Sequence, residues 1–300
     1  MDNLSALVVG PWKGGGPTEH SPALAIGSIF YDNNSLVHDP FTGDFDEERA
    51  ARHLQRVTDL SNRYAVPGAV DVIAASPEAM VRYLEFVASH TPLPLMVNGT
   101  EAEVRIAGLE KAAALGILDR LIFASLMEDT EPAEVVALKH HRPAAVMVLA
   151  ANIADPTPQG AATMLREQFL PILEEIGVPV PIVDVGAMDP PSIGVACRAI
   201  RRIRDEFGYP AGCAFSNAIY TWPGLRDEGK AAVELALAVS LTYCRSAGAE
   251  FLHYGPIEKA SVAFRAAAIS EVFRGYAAVV CDGAELESPH PIQTMFRATR

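Results

Sequence analysis

The sequence is poor in the residues that mark several common functions. Only four cysteines occur in 300 residues, Cys197, Cys213, Cys244 and Cys281, and none forms a CxxC pair. That spacing excludes a zinc knuckle, a dithiol redox motif and a dense disulfide framework, and buried free thiols are expected instead. The eight histidines are scattered, with His140 and His141 the only neighbours and no HExxH pattern. No two of them offer metal ligands on one helix face, so no intrinsic metal is expected. Lys and Arg number 24 against 37 Asp and Glu, a formal charge of -13. A broad nucleic-acid surface needs clustered cations and is excluded on that balance. The densest basic run, CRAIRRIR at 197–204, reads as the wet face of one helix. No apolar run reaches the roughly 18 residues of a membrane span, and the N-terminus lacks the basic start of a signal peptide. A cytoplasmic protein without membrane insertion is expected.

What is present is a large apolar fraction, 50% of residues, with 20% charged, enough to bury a substantial core. Short runs rich in Val, Ile, Leu and Ala recur, each followed by a stretch with helical spacing. They lie at 23–30, 69–76, 94–100, 120–127, 144–152, 181–188, 212–220 and 251–258. Strands without polar alternation are buried on both faces, and their alternation with helices marks parallel βα units. Eight such units predict a (β/α)8 TIM barrel of one domain over residues 1–300, with a lead-in at 1–22 and an extension from about 260. A doubly wound open sheet is the rival. It lacks support because no GxGxxG or GxxxxGK[ST] loop follows the first strand. Gly14, Gly15 and Gly16 precede that strand and read as a flexible lead-in.

Chemistry in this fold sits at the C-terminal mouth of the barrel. The polar residues at or near the strand ends are Asp71, Asn98, Glu101, Ser125, Asn152, Asp184 and Asn217. Burying such groups without partners costs roughly 1 to 3 kcal/mol each, so their clustering points to a polar ligand. Amides and carboxylates without Lys or Arg suit a neutral heterocycle with donors and acceptors, such as the aminopyrimidinone edge of a pterin. No Ser-His-Asp or Cys-His set can be assembled for acyl chemistry. Each residue also has a structural reading. Asp71 and Asp184 suit buried acids bonding backbone amides, Asn98 suits a turn with Gly99, and Glu101 suits a helix start. Ser125 is read as structural.

Several strings then resemble a known family, namely GSIFYDNNSLVHD, SPEAMVRYLEFVA, GTEAEVRIA, NIADP, VDVGAMDPPSIG, PAGCAFSNAIYTW and FLHYGPIEKA. In order along most of the chain, they resemble the H-type subunit of tetrahydromethanopterin S-methyltransferase and its bacterial relatives that methylate tetrahydrofolate from corrinoid proteins. A more distant likeness is to pterin-binding barrels that methylate a corrinoid iron-sulfur protein. That likeness implies that Asp71 holds the pterin and that Asn217 lies beside its N5. Within NGTE the amide Asn98 and the acid Glu101 are exchanged relative to the distant family, and Asn152 only partly replaces a fifth-strand acid. Asp184 resembles an acid of the nearer family without an assigned role.

The resemblance implies a methyltransferase acting between a corrinoid protein and tetrahydrofolate. Asp71, Asn98, Glu101, Asn152 and Asp184 would shape the pterin site and Asn217 would be catalytic. No tightly bound cofactor is expected, because the corrinoid arrives on a partner protein and the chain lacks a DxHxxG-type signature. Neither His20 nor His253 is expected to anchor a cobalamin. The alternatives are a dihydropteroate-synthase-like enzyme, which needs a basic diphosphate subsite, and a non-catalytic pterin- or corrinoid-protein-binding subunit. The Ala-rich segments EKAAALGIL and GKAAVELALAVSLTY predict a homodimer through outer helices, away from the barrel mouth.

Overall fold

The computed structural model describes residues 7–15 and 21–295. Strands β1 (Leu7–Val9) and β2 (Trp12–Gly14) form an antiparallel hairpin. Strand β3 (Leu24–Ile29) opens the barrel and is followed by a small excursion, β4 (Val37–Asp39) with β5 (Asp44–Phe45). The remaining barrel strands are β6 (Gly68–Ile73), β7 (Leu95–Asn98), β8 (Leu121–Leu126) and β9 (Ala145–Leu149). They continue as β10 (Ile182–Asp184), β11 (Ala211–Cys213) and β12 (Phe251–Pro256). Parallel pairing in the order β3, β6, β7, β8, β9, β10, β11, β12 closes the sheet. Each of the eight apolar runs holds one strand, and the architecture is the expected (β/α)8 barrel.

Side chains alternate across a strand, so every second residue enters the barrel. Leu24, Ile26, Ala69, Met96, Ile122, Ala124, Ala145, Met147, Ile182 and Phe251 form an interior cluster distinct from the shell under the helices. Gly212 lies beside Phe251, where a Cβ would stand 2.8 Å from the ring, so the smallest residue makes room for a large one. The hairpin adds Val9 and Trp12 to the same cluster. Its turn begins at Gly10 with φ +54, a backbone conformation that glycine adopts without a Cβ clash.

Three expectations are corrected here. The glycines of the lead-in are not simply a flexible stretch: Gly14 lies in β2 against the Trp12 ring, and the Gly15 N–H donates to Glu250 at 2.7 Å. Gly16 lies outside the described residues. Residues from 260 are not an extension but the eighth barrel helix, Ala260–Ala277, which buries Ala263, Phe264 and Ala267. Only the chain beyond it extends the barrel. Cys197, Cys213 and Cys244 are buried thiols as expected, whereas Cys281 is exposed in the turn of helix beyond Ala277.

The run CRAIRRIR lies in helix Ser192–Phe207, which buries Ala196, Cys197, Ala199, Ile200 and Ile203 and leaves Arg198 and Arg201 in water. Trp12 is only 2% exposed, and its truncation should leave a cavity in the interior cluster. Trp12→Ala is expected to lower unfolding free energy by about 3 to 5 kcal/mol. Urea unfolding should show an earlier midpoint with an unchanged slope, and an unchanged midpoint would exclude the hairpin from the cooperative core.

Candidate functional site

Above the apolar interior the inward positions become polar within one step of the strand repeat. Ile26 is followed by Ser28, Ala69 by Asp71, Met96 by Asn98, Ile182 by Asp184 and Phe251 by His253. This layer lies under an open cavity of about 830 Å³ at the barrel mouth, within the range typical of small-molecule sites. Met96 and Met147 contribute apolar surface, Asn98, Asp184, His253, Asn217 and Ser125 contribute polar groups, and the loop after β3 adds Tyr31 to Asn34. No Lys or Arg lines it among the described residues.

Beneath the lining, Asp71 is fully buried. Its Oδ2 accepts from the Ser28 hydroxyl at 2.8 Å and from the Asn98 amide at 3.4 Å, and His253 Nε2 stands 3.2 Å away. Ser28 Oγ is also 2.9 Å from His253 Nε2. Asp71 Oδ1 is buried without a partner in the protein. Asp184 accepts from the Gly186 N–H at 2.7 Å. Its carboxyl is pushed up to about 6, by burial first and against the opposing pull of the Gly186 N–H and His253.

The walls are anchored from outside the cavity. Arg105, on helix Ala102–Leu115, donates to the carbonyls of Gly99 at 2.6 Å and Thr100 at 2.9 Å and pairs with buried Glu134 at 2.7 Å. This charge-assisted clamp holds the turn directly after Asn98. The β3 loop is tied to the end of β12, where Tyr31 and Asn34 each donate to Glu258 at 3.3 Å.

The cavity thus brings together Asn98, Asp184 and Asn217, with Asp71 directly below. Glu101 and Asn152 are not in its lining. Glu101 is exposed at the start of helix Ala102–Leu115, consistent with its structural reading. Asn152 Oδ1 accepts from the Ala154 and Asp155 N–H groups, and the residue borders a separate smaller cavity of about 130 Å³. Its amide is occupied in folding its own loop. Asn217 lies not on a strand but on the short helix Ser216–Tyr220, because the run 212–220 turns helical after Cys213.

Two lining or near-lining residues escaped the reading of strand ends, Ser28 and His253, and a third, Ser125, was expected to be structural yet borders the cavity. Ser28 and His253 sit two positions after inward apolar residues, a signal available in the sequence once the inward phase of each strand is known. Ser125 reaches the cavity where the β8 register shifts between Phe123 and Leu126. Such irregularities re-aim a side chain and carry no clear sequence mark. His20 lies outside the described residues.

Fold and site together define a (β/α)8 barrel with a polar mouth that no Lys or Arg lines among the described residues, and comparison with known proteins identifies the lineage. The model of the family described as tetrahydromethanopterin S-methyltransferase MtrH subunit matches residues 5–286, and the chain belongs to that family. The H-type subunit of tetrahydromethanopterin S-methyltransferase from Methanothermobacter marburgensis is 33% identical over 95% of this chain and 94% of its own length. The corresponding subunit of Methanosarcina mazei is 28% identical over 95% of both chains. Among solved structures, 7,8-dihydropteroate synthase from Vibrio fischeri superposes with a TM-score of 0.64 at 11% identity, covering 90% of this chain and 98% of that one. The Thermus thermophilus dihydropteroate synthase bound to 4-aminobenzoate gives 0.59 at 15% identity, covering 89% and 99%. These two likenesses show the fold.

Asp184 provides a test of the site's electrostatics. A carboxyl raised above its unfolded value of 3.8 to about 6 favours the folded state below pH 4, and that contribution is lost as pH rises through 6. Asp184→Asn removes the cost of a buried charge while keeping an oxygen for Gly186. The variant is expected to be more stable than the parent above pH 6, by about 1 to 3 kcal/mol, with the gap closing toward pH 4. Denaturation midpoints from pH 4 to 8 read this directly, and a variant less stable at pH 7.5 would contradict it.

Proposed function

We propose that this protein is a methyltransferase that moves a methyl group between a corrinoid carried by a partner protein and the N5 of a tetrahydropterin bound in the barrel mouth. The observation that carries this reading is the polar layer, without Lys or Arg among the described residues, where Asp184, Asn98 and Asn217 border one cavity above buried Asp71. An aminopyrimidinone edge presents adjacent N–H donors that a carboxylate accepts, and an amide both donates and accepts. Asp184 and Asn98 hold that edge in this reading, and Asp71 orients Asn98 from below. Asn217 touches N5, where positive charge develops during transfer. The corrinoid supplies the metal centre that carries or receives the methyl group. Position and electrostatics are the protein's contribution.

Tetrahydrofolate is the first pterin to test, from the resemblance to free-standing bacterial enzymes; the relatives' own name makes tetrahydromethanopterin the second. A dihydropteroate-synthase-like reaction is disfavoured, because a diphosphate leaving group calls for cations that the cavity lining lacks. Among the described residues no helix is long and apolar enough to cross a membrane. A cytoplasmic setting, with the open mouth left to the partner, is part of the proposal.

The assay mixes the protein with a methylated corrinoid and each pterin in parallel, following loss of the methylcorrinoid spectrum and formation of the methylpterin. Asn217→Ala is expected to lower the transfer rate by about 100-fold with the pterin still bound. Wild-type transfer in the variant would remove Asn217 from the chemistry. Pterin binding without turnover in the parent protein would favour the non-catalytic subunit.

The homodimer is also part of this proposal, and the exposed apolar residues narrow its face. Helix Lys230–Ser246 presents Leu235, Val239 and Tyr243 to water, and helix Ala260–Ala277 presents Phe273 and Tyr276, each more than half exposed. These two helices pack side by side. Exposed apolar side chains on two neighbouring helices are the kind of surface that a partner covers. A second copy related by a twofold axis covers it while leaving the mouth open. The segment EKAAALGIL shows no comparable face. Light scattering is expected to report a dimer that Val239→Glu with Phe273→Glu converts to monomer, and a monomeric parent at micromolar concentration would end the proposal.

A further inference from the structure

Beyond pterin orientation, methyl transfer involves a proton that none of the roles above handles. When the N5–H amine of a tetrahydropterin is methylated, the N5–carbon bond forms as the metal–carbon bond breaks, and the bonding pair stays on the corrinoid. N5 then carries four bonds, a positive charge and a proton that must leave. In the opposite direction N5 must gain that proton before the methyl group departs. Asn217 is an amide and neither accepts nor supplies a proton near neutral pH. Tyr31 and Tyr83, which line the cavity, are pushed up to about 12 by burial, aided at Tyr31 by Glu258.

The layer beneath the cavity holds a group suited to the task. His253 borders the cavity from β12, while Asp71 and Ser28 meet its ring from below, on β6 and β3, the next two strands around the barrel. The hydrogen-bond geometry also selects its tautomer. Ser28 has one hydrogen, and at 2.8 Å it is given to Asp71 Oδ2. The 2.9 Å contact between Ser28 Oγ and His253 Nε2, and the 3.2 Å contact between Nε2 and Asp71 Oδ2, are then both satisfied only if Nε2 carries a hydrogen. Nε2–H is therefore locked toward the buried carboxylate, and Nδ1 is the nitrogen free to exchange a proton with a ligand. The charged groups facing the ring are both acids, Asp71 in contact and Asp184 across the floor, so a protonated ring is met by opposite charge.

Burial strengthens the case. Asp71 is 0% exposed, and its Oδ1 has no partner in the protein. An acid in such a place costs stability when its lone pairs are unmatched, and an apolar side chain would fill the barrel with less penalty. Retaining it makes physical sense where its charge is used to hold and orient an imidazole, as in other carboxylate–histidine pairs.

We propose that His253, oriented by Asp71 and Ser28, accepts the N5 proton through Nδ1 when the pterin is methylated and returns it in the reverse direction. The step balances: N5 loses its proton, the imidazole becomes an imidazolium held by Asp71, and the proton then passes to solvent at the open mouth. His253 is catalytic in this scheme, while Asp71 and Ser28 are positioning residues. The inference rests on the methyl-transfer reading above.

Two measurements separate the failure of one from the failure of the other. Long-range 1H–15N spectra of the free protein, assigned with His253→Gln, are expected to show His253 as the Nε2–H tautomer, and Ser28→Ala should relax that preference. An Nδ1–H tautomer in the parent would overturn the proposal without reference to activity. With a methylcorrinoid and the better pterin, His253→Gln is expected to lower kcat by about 100-fold and flatten its pH profile. Pterin affinity should stay within about threefold, added imidazole should restore part of the rate, and Asp71→Asn should displace the pH limb. Should the limb vanish in Asp184→Asn and persist in His253→Gln, Asp184 is the base and His253 is not. A parent protein that binds pterin but transfers no methyl group defeats the functional reading and this step with it. Should His253→Gln fail to fold, Ser28→Ala and Asp71→Asn carry the kinetic test, and parental pH profiles in both would overturn the dyad.

Discussion

The constraint on which the rest of this structure depends is the two-residue repeat of strands closed into a barrel. Because every second side chain enters the interior, one step along a strand moves the inward group up by one layer. Five strands change from apolar to polar at the same step, from Ile26, Ala69, Met96, Ile182 and Phe251 to Ser28, Asp71, Asn98, Asp184 and His253. The lower layer supplies the hydrophobic burial, and Trp12 closes it from beneath. The upper layer gathers polar groups that single positions would have little reason to bury. A one-residue slip of any strand would exchange these inward residues for outward ones and destroy both layers at once.

Two buried ion pairs translate that frame into defined loops. Arg105 with Glu134 holds the Gly99–Thr100 turn at the mouth, while Arg245 with Glu271, 2.6 Å apart, works at the other end. There Arg245 also donates to the Ser21 and Ala249 carbonyls, and Glu271 accepts from the Ala23 N–H, fixing the approach to β3. Pairs of this kind contribute little net stability, but removal of one partner leaves a buried charge exposed to the full desolvation cost. Their value here is positional. Asn98 and the inward residues of β3 are presented by backbone that charged side chains hold from behind.

The candidate site was legible where a carboxylate or amide interrupted or ended an apolar strand. Asp71, Asn98 and Asp184 follow their apolar runs in the expected phase, and the structure sets all three in or directly beneath the mouth. Legibility failed where the backbone left the strand. Asn152 lies beyond the end of β9 and spends its oxygen on its own turn, and Glu101 has passed into the start of a helix. Asn217 remains in the lining, yet it arrives there from a helical turn. Ser28 and His253 were missed for a different reason: a serine and a histidine within apolar runs look like ordinary core substitutions until their strands are known to be neighbours.

The sequence by itself determined the eight βα units, because hydrophobic runs of strand length separated by helical periodicity have few other packed solutions. It also determined the acidic, cation-poor character of the chain, and its ordered strings carried the family likeness that comparison established. Tertiary structure alone decided which polar residues meet. Ser28, Asp71 and His253 are separated by 43 and 182 positions, and only closure of the barrel between β12 and β3 brings them within hydrogen-bonding distance. Sequence periodicity records the face on which a residue lies, whereas the shear and closure of the sheet set its height and neighbours, and those are properties of all eight strands together.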